Sequence, residues 1–144
     1  MKRHAAVLGL MLVVTISASA GAEHVVAGTI SGIEQDGQLF VAIFDERGWE
    51  AAPDFQEGFV EGRSYRVESA SSVDFRIDDV PPGTYAVRAF LDTNGNQELD
   101  MGMFGPKEPW GVYRASGRIV GPPRFRSLAF EVNSDVRDAD FELR

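Results

Sequence analysis

Residues 37–44 read Gly37-Gln38-Leu39-Phe40-Val41-Ala42-Ile43-Phe44, a short apolar run bounded by Asp36 on one side and Asp45-Glu46 on the other. Leu39, Val41 and Ile43 alternate with Phe40, Ala42 and Phe44, so the period is two and both faces are apolar. A strand buried on both faces belongs in the middle of a sheet. We therefore expect a central strand from Gln38 to Asp45, with one face against an opposing sheet and Phe40 or Phe44 covered by a loop.

Working outward, the same period recurs nearly everywhere. Val73, Phe75 and Ile77 alternate with Ser72, Asp74 and Arg76. The spacing predicts strands at His24 to Ile33, Gln38 to Asp45, Arg63 to Ser69, Ser72 to Asp78, Thr84 to Leu91, Ser127 to Val132 and Ala139 to Leu143. Gln35-Asp36-Gly37 reads as a hairpin turn, and Pro81-Pro82-Gly83 breaks the chain before Thr84. No stretch has a clear helical period. The pattern predicts an all-β fold, an antiparallel β-sandwich of about seven strands with an immunoglobulin-like or transthyretin-like layout. Two stretches break the rhythm: Glu46 to Gly62, with Trp49, Phe55 and Phe59, and a long Gly- and Pro-rich loop from Thr93 to Arg126.

The N-terminus carries Lys2, Arg3 and His4, then an apolar run from Ala5 to Ile16, then small residues to Ala22. This order predicts a signal peptide over residues 1–22, cleaved after Ala22, and a single domain over 23–144. The apolar run falls short of the roughly 20 residues a spanning helix needs. The expected location is periplasmic or secreted, with no membrane anchor after cleavage. There is no cysteine, which excludes lipidation at a cleavage site and disulfide staples, so stability must come from an ordinary core. Cleavage removes two cations and no acid, taking the formal charge from −8 to −10. Nucleic acid is excluded as an expected partner, because so acidic a surface repels phosphate.

The most informative loop is Asp92-Thr93-Asn94-Gly95-Asn96-Gln97-Glu98-Leu99-Asp100. Counting Asp92 as position 1, oxygen-bearing side chains stand at positions 1, 3, 5 and 9, and Glu98 at position 7 can offer its carbonyl. Hard cations are wrapped this way, by alternate residues of a tightly curled loop. Asp92, Asn94, Asn96, Glu98 and Asp100 are thus candidate calcium ligands, with Glu108 or Asp45 as a further donor from outside the loop. The loop is not an EF-hand. Its glycine is at position 4 instead of 6, and position 12 is Met103. The competing reading is an Asx-rich turn in which Asp92 and Asn94 accept backbone N–H groups with no metal.

Other chemistry is sparsely supplied. Nucleophile and base catalysis has only His24 to draw on once His4 leaves, and zinc lacks its preferred nitrogen and sulfur ligands. Asp45-Glu46 and Asp78-Asp79 are the carboxylate pairs a hydrolase would use, but both read as solvated strand ends. Trp49, Trp110 and Tyr113 are a candidate ligand platform for a glycan or small molecule, or else loop anchors packed on the sheet. Arg88 is expected at the surface, or paired with Asp100 or Glu108.

The run Pro82-Gly83-Thr84-Tyr85-Ala86-Val87, the loop Asp92-x-Asn94-x-Asn96-x-x-Leu99-Asp100, then Gly105-Pro106-Lys107-Glu108, Trp110-Gly111-Val112, Gly121-Pro122-Pro123-x-Phe125 and Ala129-Phe130 resemble the bacterial domain of unknown function 2141 family. Gly32-Ile33 and Gly37 to Phe44 match its opening. Pro-Gly-Thr-Tyr alone is shared with carboxypeptidase-regulatory-like and transthyretin-like sandwiches; the ordered series is more specific. The resemblance implies an exported bacterial sandwich with no assigned activity. The chain departs from the family pattern at Leu91, where a histidine is common, in the placing of Gly95, and in lacking an isoleucine before Pro106. The residues together lead to a non-enzymatic exported domain with a candidate calcium loop that orders the long loop and presents its aromatics to a protein or glycan partner.

Overall fold

The computed structural model describes residues 21–51 and 57–144. Residues 1–20 of the predicted signal peptide, and Phe55, fall outside these ranges. Strand β1 (His24–Ser31) lies between β4 (Val73–Val80) and the short C-terminal β10 (Phe141–Glu142). A second sheet runs β3 (Glu61–Val67), β2 (Gly37–Phe44), β5 (Gly83–Asp92), β8 (Trp110–Val112), and β9 (Phe130–Val132) also pairs with β5. Their inner faces share one core, with Val26, Ile30, Phe75 and Ile77 from the first sheet against Leu39, Val41, Ile43, Val87 and Leu91 from the second. The all-β sandwich and the central place of β2 are as the alternation requires.

The outer face of the second sheet carries a separate apolar cluster. Ala42, Phe44, Ala86 and Val112 are roofed there by Trp49, Phe125 and Leu128. The roof consists of two short helices, α1 (Glu46–Ala51) and α2 (Phe125–Leu128), where the sequence predicted none. Asp45 starts α1, its Oδ1 accepting the Gly48 N–H at 2.7 Å. In α2, Phe125 and Leu128 stand three residues apart and both are buried. The expected strand Ser127 to Val132 therefore splits. Leu128, Phe130 and Val132 share a period of two, but Leu128 fills the outer cluster while Phe130 and Val132 fill the inner one.

Gln35-Asp36-Gly37 is not a hairpin turn. β1 and β2 belong to different sheets, so this segment crosses the sandwich, with Gly32 at φ 74 starting the crossing and Asp36 accepting the Ser69 N–H at 2.8 Å. The stretch from Thr93 to Arg126 is not a structureless loop either. It contains the hairpin β6 (Met101–Gly102) and β7 (Gly105–Pro106), then β8, then the start of α2.

Candidate functional site

β5 delivers Asp92 to the rim of the sandwich. Its register opposite Gln38 fixes the strand end, and Leu99, 5% exposed, pins the far side of the loop that follows. Asp92 itself is 2% exposed. Its Oδ1 accepts N–H groups from Asn94 at 3.3 Å and Gly95 at 2.8 Å, and its Oδ2 accepts that of Gln97 at 2.8 Å. A buried carboxylate needs such donors, and three backbone amides supply them.

The remaining polar side chains continue the curl. Asn94 Oδ1 accepts the Asn96 N–H at 3.1 Å, and Asn96 Oδ1 accepts the Glu98 N–H at 3.0 Å. Their amide nitrogens turn inward to Asp100: Asn94 donates to Oδ2, and Asn96 donates to Oδ1 at 2.8 Å. Asn94, Asn96 and Asp100 thus meet at one point. Glu108, 6% exposed, closes the loop from below by accepting the Thr93 N–H on Oε1 at 3.0 Å and the Asp100 N–H on Oε2 at 3.2 Å.

Gln97 is the feature that sequence reading missed. It sits at loop position 6 with φ 62, in the left-handed region where an EF-hand places its glycine. The absence of a glycine there did not prevent the turn, because the Asp92 carboxylate holds the Gln97 N–H in place.

The structure brings Asp92, Asn94, Asn96, Asp100 and Glu108 together, with Glu98 exposed on the loop. Asp45 is not part of this group. β2 runs antiparallel to β5 with Gln38 beside Asp92, so Asp45 lies seven residues along, about 24 Å away at the rise of a strand. Among the described residues, no three His, Cys, Asp or Glu side chains form a metal-holding group by themselves. As placed, the Asp92 oxygens and the Oδ1 atoms of Asn94 and Asn96 all accept backbone N–H groups, the pattern of an Asx-rich turn.

Of the three aromatics, Trp49 and Trp110 pack on the outer cluster and Tyr113 on the inner one. Trp49 is 5% exposed, and its Nε1 donates to the Pro123 carbonyl at 3.0 Å. Trp110 packs against the outer cluster, whereas Tyr113 packs edge-on against Phe130 at 5.1 Å on the inner one. Burial raises the Tyr113 hydroxyl above its usual pKa, with Asp138 adding to the shift.

Arg88 is buried, 4% exposed, against the expectation of a surface or loop-paired arginine. Its guanidinium lies 4.1 Å from the Phe44 ring centroid and 4.3 Å from that of Trp49. Tyr85 to Leu91 is buried without a break, so the strand is covered on both faces, and Arg88 opens only onto the groove it lines with Trp49 and Arg124.

Residues 29–140 match the family described as an uncharacterized protein conserved in bacteria (DUF2141). No curated protein and no solved structure matches the chain.

Proposed function

We propose that this chain, which belongs to the DUF2141 family of bacterial proteins, is an exported, non-enzymatic sandwich whose Asp92 to Asp100 loop binds calcium and stiffens the rim that meets a partner. The observation that carries this reading is the convergence of Asn94 and Asn96 on Asp100 around a loop already turned at position 6 by Asp92 and Gln97. Charge supports it. Asp92, Glu98, Asp100 and Glu108 sit at one end of the domain, and among the described residues none of them forms an ion pair. A divalent cation would relieve that repulsion.

Asp92, Asn94, Asn96 and Asp100 would hold the ion through side-chain oxygens and Glu98 through its carbonyl. Bound calcium supplies charge neutralisation and a fixed loop shape. The two asparagines would rotate their amides to present oxygen in place of nitrogen. Glu108 clasps the loop ends through the Thr93 and Asp100 amides and, like Asp92, would keep a lone pair for the ion as an additional ligand. With two charged ligands in the loop itself, the dissociation constant should be on the order of 10⁻⁴ to 10⁻³ M, the range of extracellular modules.

A thermal melt with and without about 10 mM calcium tests this, because a ligand of the native state raises the midpoint by mass action. Calcium should raise it where magnesium does not, and Asp100→Asn should abolish the rise. An unchanged midpoint, or a rise that survives in Asp100→Asn, would sink the proposal. The glycan reading has less support, because Trp49 is buried with Trp110 packed against the outer cluster, while Tyr113 packs on the inner one. As for a hydrolase, Asp78 is tied to Arg76 at 2.8 Å, and Asp79, Asp45 and Glu46 are exposed.

A further inference from the structure

In a chain with 22 acidic and 14 basic residues, the segment Arg114-Ala115-Ser116-Gly117-Arg118-Ile119-Val120-Gly121-Pro122-Pro123-Arg124-Phe125-Arg126 has four arginines and no acid. The fold gathers them on one face. Arg114, Arg118 and Arg124 border a groove of about 310 Å³, and Arg124 and Arg126 border an adjoining one of about 830 Å³, with Val120, Pro122 and Pro123 shared between the two. Elsewhere Arg63, Arg66, Arg76 and Arg137 each pair with a carboxylate, while among the described residues Arg47 and Arg144 form no ion pair and Arg144 donates to the Gly117 carbonyl. Here only Arg126 has such a pair, with Glu46 at 3.3 Å, while Arg114, Arg118 and Arg124 form no ion pair among the described residues. Glu50 is the acid that lines the larger groove.

An apolar tip rises among these charges. Gly117 at φ 68 and Gly121 at φ 74 turn the chain on either side of Arg118-Ile119-Val120. Ile119 packs into the outer cluster, so Val120 is left 86% exposed. A basic strip with three of its four arginines outside any ion pair, around an exposed aliphatic residue, matches an anionic bilayer surface, where headgroup phosphates take the arginines and the interface takes the valine. A soluble polyanion would reward only the charges.

The acidic loop does not oppose this. The Tyr113 N–H donates to the Val87 carbonyl, which places the residue before the strip five strand residues, about 16 Å, along β5 from Asp92. That distance is about twice the physiological Debye length of about 8 Å. We propose that residues 114–126 form a peripheral docking surface for anionic phospholipid headgroups, independent of the calcium loop.

Vesicle co-sedimentation of the full chain tests it. Phosphatidylcholine vesicles are compared with vesicles holding about 30 mol % phosphatidylglycerol, and because Lys2 and Arg3 also favour anionic lipid, the variants of the strip carry the decision. Binding to the anionic vesicles should be about tenfold stronger at about 50 mM salt and fall as salt rises. Arg118→Gln with Arg124→Gln should remove that preference, and Val120→Asp should weaken it severalfold; all three positions are exposed, and unchanged melting confirms folding. Equal binding to both vesicle types overturns the proposal, as does a preference untouched by the arginine pair. So does binding in which inorganic polyphosphate competes fully and Val120→Asp has no effect, which would make the target a soluble polyanion.

Discussion

The buried carboxylate of Asp92 accepts the backbone N–H of Gln97 at 2.8 Å, and Gln97 takes left-handed backbone at φ 62 to deliver it. A non-glycine residue in that region carries a steric cost of roughly 1–2 kcal/mol, which the charge-assisted bond offsets. Gln97→Gly should therefore leave stability unchanged or raise it by up to about 1 kcal/mol, once the extra freedom of the unfolded chain is deducted. Gln97→Val should lower it by more than 1 kcal/mol, roughly. Urea unfolding of the two variants checks this, and equal effects would mean the left-handed turn is not held in solution.

Glu108 joins the loop's two ends through its bonds to the Thr93 and Asp100 amides. Glu108→Ala leaves both donors without that partner in a buried place, costing about 1–3 kcal/mol. Glu108→Gln retains one acceptor and should cost less. Hydrogen exchange at the Thr93 and Asp100 amides should quicken in the alanine variant while that of β2 stays slow, the mark of local opening.

How far the sequence disclosed this follows from what each signal depends on. β2 and β4 are plain because their alternation is set by one buried core, and the acidic loop is plain because its oxygens recur at every second position. Leu128 misleads because two cores lie on opposite faces of one sheet, so a run of apolar residues with period two can cross from one core to the other. Gln35 to Gly37 misleads because turn chemistry says that the chain reverses, not which sheet it enters next. Glu108 and Arg88 depend on contacts distant in sequence, and Asp45 was placed by composition near a loop from which strand register separates it.

Arg88 stacks over Phe44 and Trp49, with its charge held among rings. Arg88→Lys keeps the charge but loses the planar stack, and should cost stability together with a shift in tryptophan emission. Arg88→Ala removes the stem packing as well, for a loss of about 2 kcal/mol or more. Emission indistinguishable from wild type in both variants would show that the guanidinium does not contact Trp49.

The start of β1 depends on a carboxylate. Asp135 Oδ1 accepts the Val25 N–H at 2.9 Å, beside backbone bonds from Val136 to Val25 and from Ala27 to Val136. The Val25 amide, helped by Arg137, holds the Asp135 pKa below its ordinary value of 3.8. A lowered folded-state pKa means stability present above the unfolded value and lost as pH falls through the folded one. Asp135→Asn should therefore melt below wild type at neutral pH, and the two should converge below about pH 3.8 as the wild-type carboxylate takes up its proton. Melting curves from neutral pH to strong acid check this. Curves that stay parallel throughout would mean that the carboxylate charge plays no part in holding β1.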